Sequence, residues 1–189
     1  MFYQWESEKH EQQGTALLAE LGKFVVSFER VCDGMRNCIE CALWRRTGLR
    51  DYPRYQTLVH GKTAGRLRSI LHDEYARLTD QDEDDKARVN DLIVRISNLT
   101  AARNDLIHGY WFLNFDYENA DEEFHALALA HSVDKNGPFS HTTSVGKDTL
   151  AAQIPEATKI QVLLRRLAYS LNQKGFKVSN ELDRRLSYS

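Results

Sequence analysis

Residues 15–46 read TALLAELGKFVVSFERVCDGMRNCIECALWRR, and the spacing of their apolar side chains decides the fold class. Leu17, Leu21, Phe24, Phe28, Val31, Met35, Cys38 and Ala42 succeed one another in alternating steps of four and three. A helix turns that spacing into one continuous seam, whereas a strand needs a period of two. The pattern therefore predicts a long helix over about Thr15–Arg46. Arg45 and Arg46 put cations at its negative end, and Gly48 supplies the stop.

Outward from this helix the periodicity changes by segment. Residues 49–60 hold Pro53 and several aromatics and read as a connecting loop with a short strand or turn. A second helix is expected over about Thr63–Leu78, with Leu67, Ile70, Leu71 and Tyr75 on its apolar face. The acidic cluster Asp80–Asp85 reads as a solvated turn leading into the next helix, where negative charge suits the N-terminus. That third helix runs from about Asp84 to Gly109, with the seam Val89, Leu92, Ile96, Leu99, Arg103, Leu106. The stretch 110–147 carries Tyr110-Trp111-Phe112, an alternation around Phe124–Ala130 and the turn formers Asn136-Gly137-Pro138. It reads as two or three short strands or a decorated loop. A last long helix is expected over about Pro155–Gln173, with Pro155 in its first turn, and a short helical tail after Ser179. The expectation is a mainly α chain: one domain over residues 1–189, an antiparallel bundle of about four long helices with an excursion at about 110–147.

Composition narrows the function. The chain has 189 residues, 42% hydrophobic and 28% charged, with a net charge of −2. That is no basic shell for wholesale polyanion binding, so a nucleic-acid site has to be a local cleft. The opening residues Met1–Glu6 lack the basic and apolar regions of a signal peptide, and no apolar run approaches a membrane span. Cys32, Cys38 and Cys41 are odd in number, which does not suit a disulfide framework and fits a reducing compartment. A cytoplasmic protein with no membrane attachment is expected.

The seam of the third helix contains an anomaly. Position 103 continues an apolar stripe, yet it is arginine. A guanidinium is seldom buried without a partner, so Arg103 should face an anion, a cleft or a second subunit. At about 100° per residue, Asn104 and His108 stack on one face and Arg103 lies about 140° from His108. Tyr110 returns to the azimuth of Arg103 if the helix persists past Gly109. Such a set offers a phosphate clamp, a polar anchor and a proton shuttle. Those are the parts RNA cleavage needs: the 2′-hydroxyl loses a proton as it attacks phosphorus, the 5′-oxygen gains one, and arginine holds the charge.

Arg103-Asn104-Asp105-Leu106-Ile107-His108 resembles the R-N-x-x-x-H motif of the HEPN superfamily. There the motif sits late in a helix of a four- to five-helix bundle. The resemblance implies a metal-independent ribonuclease whose two copies line one composite cleft, with Arg103, Asn104 and His108 catalytic. His108-Gly109-Tyr110 also resembles the R-x-x-x-x-H-x-Y form of toxins from HEPN/MNT toxin–antitoxin pairs, where the tyrosine is a modification site in some members. The long 110–147 segment departs from those compact toxins and suits a stand-alone HEPN protein of phage defence or stress response. RNA, a second copy of the chain and an antitoxin or other protein are the partners implied. No cofactor and no metal are expected. The competing reading is a non-catalytic HEPN-like module that binds RNA, a nucleotide or a partner protein.

Other motifs are weaker. Cys38-x-x-Cys41 has no second ligand pair at zinc spacing and lies on the helix seam, so both cysteines read as core. The remaining histidines show no H-x-x-x-H or H-E-x-x-H spacing. Gly61-Lys62-Thr63 resembles the end of a P-loop but lacks the first glycine, position 56 being glutamine, and a preceding strand. Lys62, Arg66 and Arg68 then read as a solvated helix face.

Overall fold

A computed structural model describes residues 8–48, 52–108, 110–113, 126–134, 137–145, 147–173 and 177–183. The chain is a mainly α-helical bundle. Its described elements are α1 (Glu8–Thr47), α2 (Tyr52–Val59), α3 (Ala64–Ala76), α4 (Glu83–His108), strands β1 (Tyr110–Leu113), β2 (Ala126–Asp134) and β3 (Gly137–Val145), α5 (Lys147–Asn172) and α6 (Val178–Asp183). It divides into two compact units: residues 1–26 with 101–155, and residues 27–100 with 156–189.

The second unit holds most of the described core. On α1, Phe28, Val31, Met35, Cys38 and Ala42 continue the seam and are buried. Leu67, Leu71 and Tyr75 of α3, Val89, Leu92 and Ile96 of α4, and Ile160, Leu164 and Leu167 of α5 are buried with them. Side chain to backbone bonds fix α1 against α5: Gln161 Nε2 donates to Ser27 O at 3.0 Å, Cys38 Sγ to Leu164 O at 3.1 Å, and Arg45 Nη1 to Ser170 O at 3.0 Å. The contacts advance together along both helices, so α1 and α5 run the same way. Gly34 lets them approach; a Cβ there would stand 3.1 Å from the Cβ of Leu164.

One end of this unit is tied by polar bonds. The acidic run 80–85 is the expected exposed turn and helix start at Asp80, Asp82, Glu83 and Asp84, and its last acidic residue is the exception. Asp85 is buried and accepts from the Ser179 backbone N–H at 2.7 Å, docking the start of α6. Asp80 accepts from Nε and Nη2 of Arg45 at 3.0 and 2.6 Å. Gln81 bridges Asp80 to the hydroxyl of buried Tyr75, which donates at 2.7 Å. Glu74 is buried between Arg46 and Arg77. Glu74 and Asp85 leave water because a cation and an amide distant in sequence replace it there, whereas Asp80 stays exposed.

The first unit contains the sheet. Its order is β1-β2-β3, with both pairings antiparallel; Tyr110 stands opposite Leu129 and Ala126 opposite Val145. Gly137 and Pro138 open β3 instead of forming the turn. Proline is tolerated there because β3 is an edge strand, where a missing N–H disrupts less of the ladder. Leu17 and Phe24 of α1, Leu106 of α4 and Leu150 of α5 are this unit's buried apolar residues among those described.

Three boundaries differ from expectation. The first long helix begins at Glu8, not near Thr15, with Glu8 and Glu11 at its positive end. Residues 52–59 are helical, not loop; Pro53 sits in the first turn of α2, where its missing N–H costs nothing. The last long helix begins at Lys147, so Pro155 lies inside it.

Candidate functional site

The end of α4 sets the site. Its earlier seam, Val89, Leu92, Ile96 and Leu99, is buried, and Leu106 takes the same role near the C-terminus. Arg103 falls between Leu99 and Leu106 on this seam and is half-buried; Asn104, one step round, is exposed. The Arg103 guanidinium donates through Nη1 to Asn104 Oδ1 at 3.3 Å. Arg103 Nε is withdrawn from solvent. The asparagine carbonyl thus faces the arginine, while a half-buried stem limits the guanidinium's freedom. A cation partly held before its ligand arrives loses less conformational entropy on binding.

His108 is the last residue of α4. Asn104 and His108 are four apart on that helix, which keeps their backbone positions on one face. Tyr110 does not continue the helix. It is the first residue of β1 and pairs with Leu129, so the helical azimuth that would return it over Arg103 does not apply. The side chains of His108 and Tyr110 lie outside the described residues. The four predicted positions, 103, 104, 108 and 110, all belong to the first unit and fall within eight residues at a helix-to-strand junction.

The weaker motifs acquire structural roles. Cys32, Cys38 and Cys41 are buried without disulfides. Burial, with Cys41 nearby, pushes the Cys38 thiol well above its ordinary value, which keeps it protonated and unreactive. Thr63 caps α3 by accepting from Arg66 N at 3.4 Å, so the Gly-Lys-Thr stretch is a turn and helix start. Arg68 reaches across to the Ser97 hydroxyl of α4. Among the described residues no group of three or more His, Cys, Asp or Glu side chains converges as a metal site would require. No helix among them is long and apolar enough to cross a membrane.

The chain matches no protein-family model, no curated protein and no solved structure.

Proposed function

We propose that this chain is a metal-independent endoribonuclease of HEPN type, active as a homodimer. The observation that carries the reading is the end of α4: Arg103 and Asn104 in mutual contact, one helical turn before a histidine that closes the helix. Arg103 binds the scissile phosphate and steadies the charge that builds on its non-bridging oxygens. Asn104 orients the guanidinium through its carbonyl and leaves its amide N–H groups for the phosphate. His108 transfers protons. As base it takes the proton of the 2′-hydroxyl, whose oxygen attacks the adjacent phosphorus. As acid it supplies the proton that the departing 5′-oxygen needs. Two copies sharing one cleft bring one histidine for each transfer, which explains the use of a dimer. The products are a 2′,3′-cyclic phosphate and a 5′-hydroxyl.

The test is cleavage of a mixed RNA pool in EDTA by the wild type, Arg103→Ala and His108→Ala. Removing the proton shuttle should slow cleavage roughly 10²- to 10⁴-fold. Removing the guanidinium should cost about 10²- to 10³-fold. Equal background from all three folded proteins moves the chain to the competing class, a helical module that binds without cutting.

A further inference from the structure

From Ala157 onward the solvent face of α5 carries cations and no acid; the two acids of the helix, Asp148 and Glu156, precede that stretch. From Ala157 to Gln173 the sequence holds Lys159, Arg165 and Arg166 and no Asp or Glu, in a chain with 27 acidic residues against 25 Lys and Arg. This stretch lies wholly in the second unit. Its inward face is spent on the core through Ile160, Leu164, Leu167 and Leu171.

At about 100° per residue, Val162, Arg165 and Arg166 all fall within about 60° of Tyr169 around the helix axis. Arg165 and Arg166 are four and three residues before Tyr169, one on each side of it, which is the spacing of direct helical neighbours. Lys159 and Arg165 are exposed, Val162 and Arg166 half-buried, and Asn172 and Gln173 extend the exposed polar surface past the tyrosine. Tyr169 itself is 51% exposed, one of four large apolar side chains so placed among the described residues.

We infer that this face is a second contact surface for single-stranded RNA: Tyr169 stacks on a base, and Arg165 and Arg166 hold the flanking phosphates. The inference rests on the ribonuclease reading for its choice of occupant. Within that choice the chemistry fits. A strand of RNA presents flat bases and a row of single negative charges. A flat ring between two forked cations complements both, without reading sequence. The face also resolves the conflict between a charge of −2 and a polyanionic substrate. Carboxylates are absent from this stretch of α5, so the repulsion of the whole chain is not felt evenly over its surface.

The experiment measures binding apart from cleavage. A fluorescein-labelled uridine dodecamer is titrated by anisotropy with His108→Ala protein, alone and with added substitutions on α5, over a salt series. Tyr169→Leu should weaken binding roughly five- to hundred-fold, and Tyr169→Phe should restore it. Arg165→Glu with Arg166→Glu should weaken binding and flatten the salt slope by about 1.4, the value for two lost phosphates on a single strand. Lys9→Glu with Lys23→Glu makes the same change in net charge elsewhere and should have the smaller effect. Equal losses in the two charge-reversed proteins, or a Tyr169→Leu protein that binds as tightly as its parent, overturn the inference. Failure of the two proposals is distinguishable. RNA that the wild type cuts through His108 but that ignores the α5 substitutions sinks this surface alone. RNA held through α5 but left uncut by the wild type sinks the ribonuclease reading alone.

Discussion

Asp80 illustrates what single residues do in this chain. Burial works to raise its carboxyl, but the Arg45 guanidinium and the Gln81 amide override that and hold it below its ordinary value. A carboxylate with a depressed folded-state pKa adds stability above its unfolded value of about 4. That contribution is lost as pH falls through the lower folded value. Urea midpoints should therefore drop between pH 5 and pH 2, and the drop should be smaller in Asp80→Asn; an unchanged pH profile would count against this ion pair. None of this pairing was legible beforehand. Arg45 and Asp80 are 35 residues apart, and Asp85 and Ser179 are 94 apart, so their sequence neighbours carry no trace of the contact. Arg103 was legible for the opposite reason. It interrupts a local apolar seam, and a local pattern shows its own exceptions. Its contact with Asn104 was not, because adjacent positions on a helix diverge by about 100° and meet only through side-chain bending.

At the scale of elements, the long helices announce themselves and the short ones do not. Of the α1 seam, Leu17, Phe24, Phe28, Val31, Met35, Cys38 and Ala42 are buried, as the spacing demands, and Leu21 is half-buried. The start of α1 was missed by a turn or more because residues before Thr15 are polar, and helix propensity without an apolar face is a weak signal. The eight residues of α2 are too few to be stable alone, and Val59 is the residue it commits to the core. For α5, Pro155 reads as a start signal, yet the helix begins earlier, at Lys147, and buried Leu150 gives that added stretch its packing. Packing between elements is close at Gly34, where an added Cβ would stand 3.0 Å from Cδ1 of Leu164 of α5. Gly34→Val should lower stability by about 1–3 kcal/mol, the usual cost of overpacking, despite the better helix propensity of valine over glycine. Thermal or urea denaturation reads this directly. A neutral result would mean that the two helices separate more freely than the Cys38 and Gln161 bonds imply.

For the whole molecule, helical class and the absence of a cross-membrane helix among the described residues agree with the composition. The proposed site lies at the junction of α4 and β1, where the helical pattern ends and sequence periodicity ceases to be a guide. The proposed homodimer needs an interface. Leu18 and Val26 of α1 are 49% and 54% exposed, eight residues apart with Gly22 between them, and belong to the unit that carries the motif. Leu18→Asp with Val26→Asp should shift the protein from dimer to monomer in sedimentation and abolish RNA cleavage with it. Retention of both the dimer and the activity would place the interface elsewhere. The central claim is that Arg103 and His108 cut RNA by using its own 2′-hydroxyl. Its most direct test is a single-stranded RNA with one mapped cleavage site, compared in EDTA with the same strand carrying a 2′-deoxy nucleotide at that site. The expected result is cleavage of the first strand to a 2′,3′-cyclic phosphate and a 5′-hydroxyl, with the second left intact there. Cleavage of both strands, or 5′-phosphate ends, would contradict it.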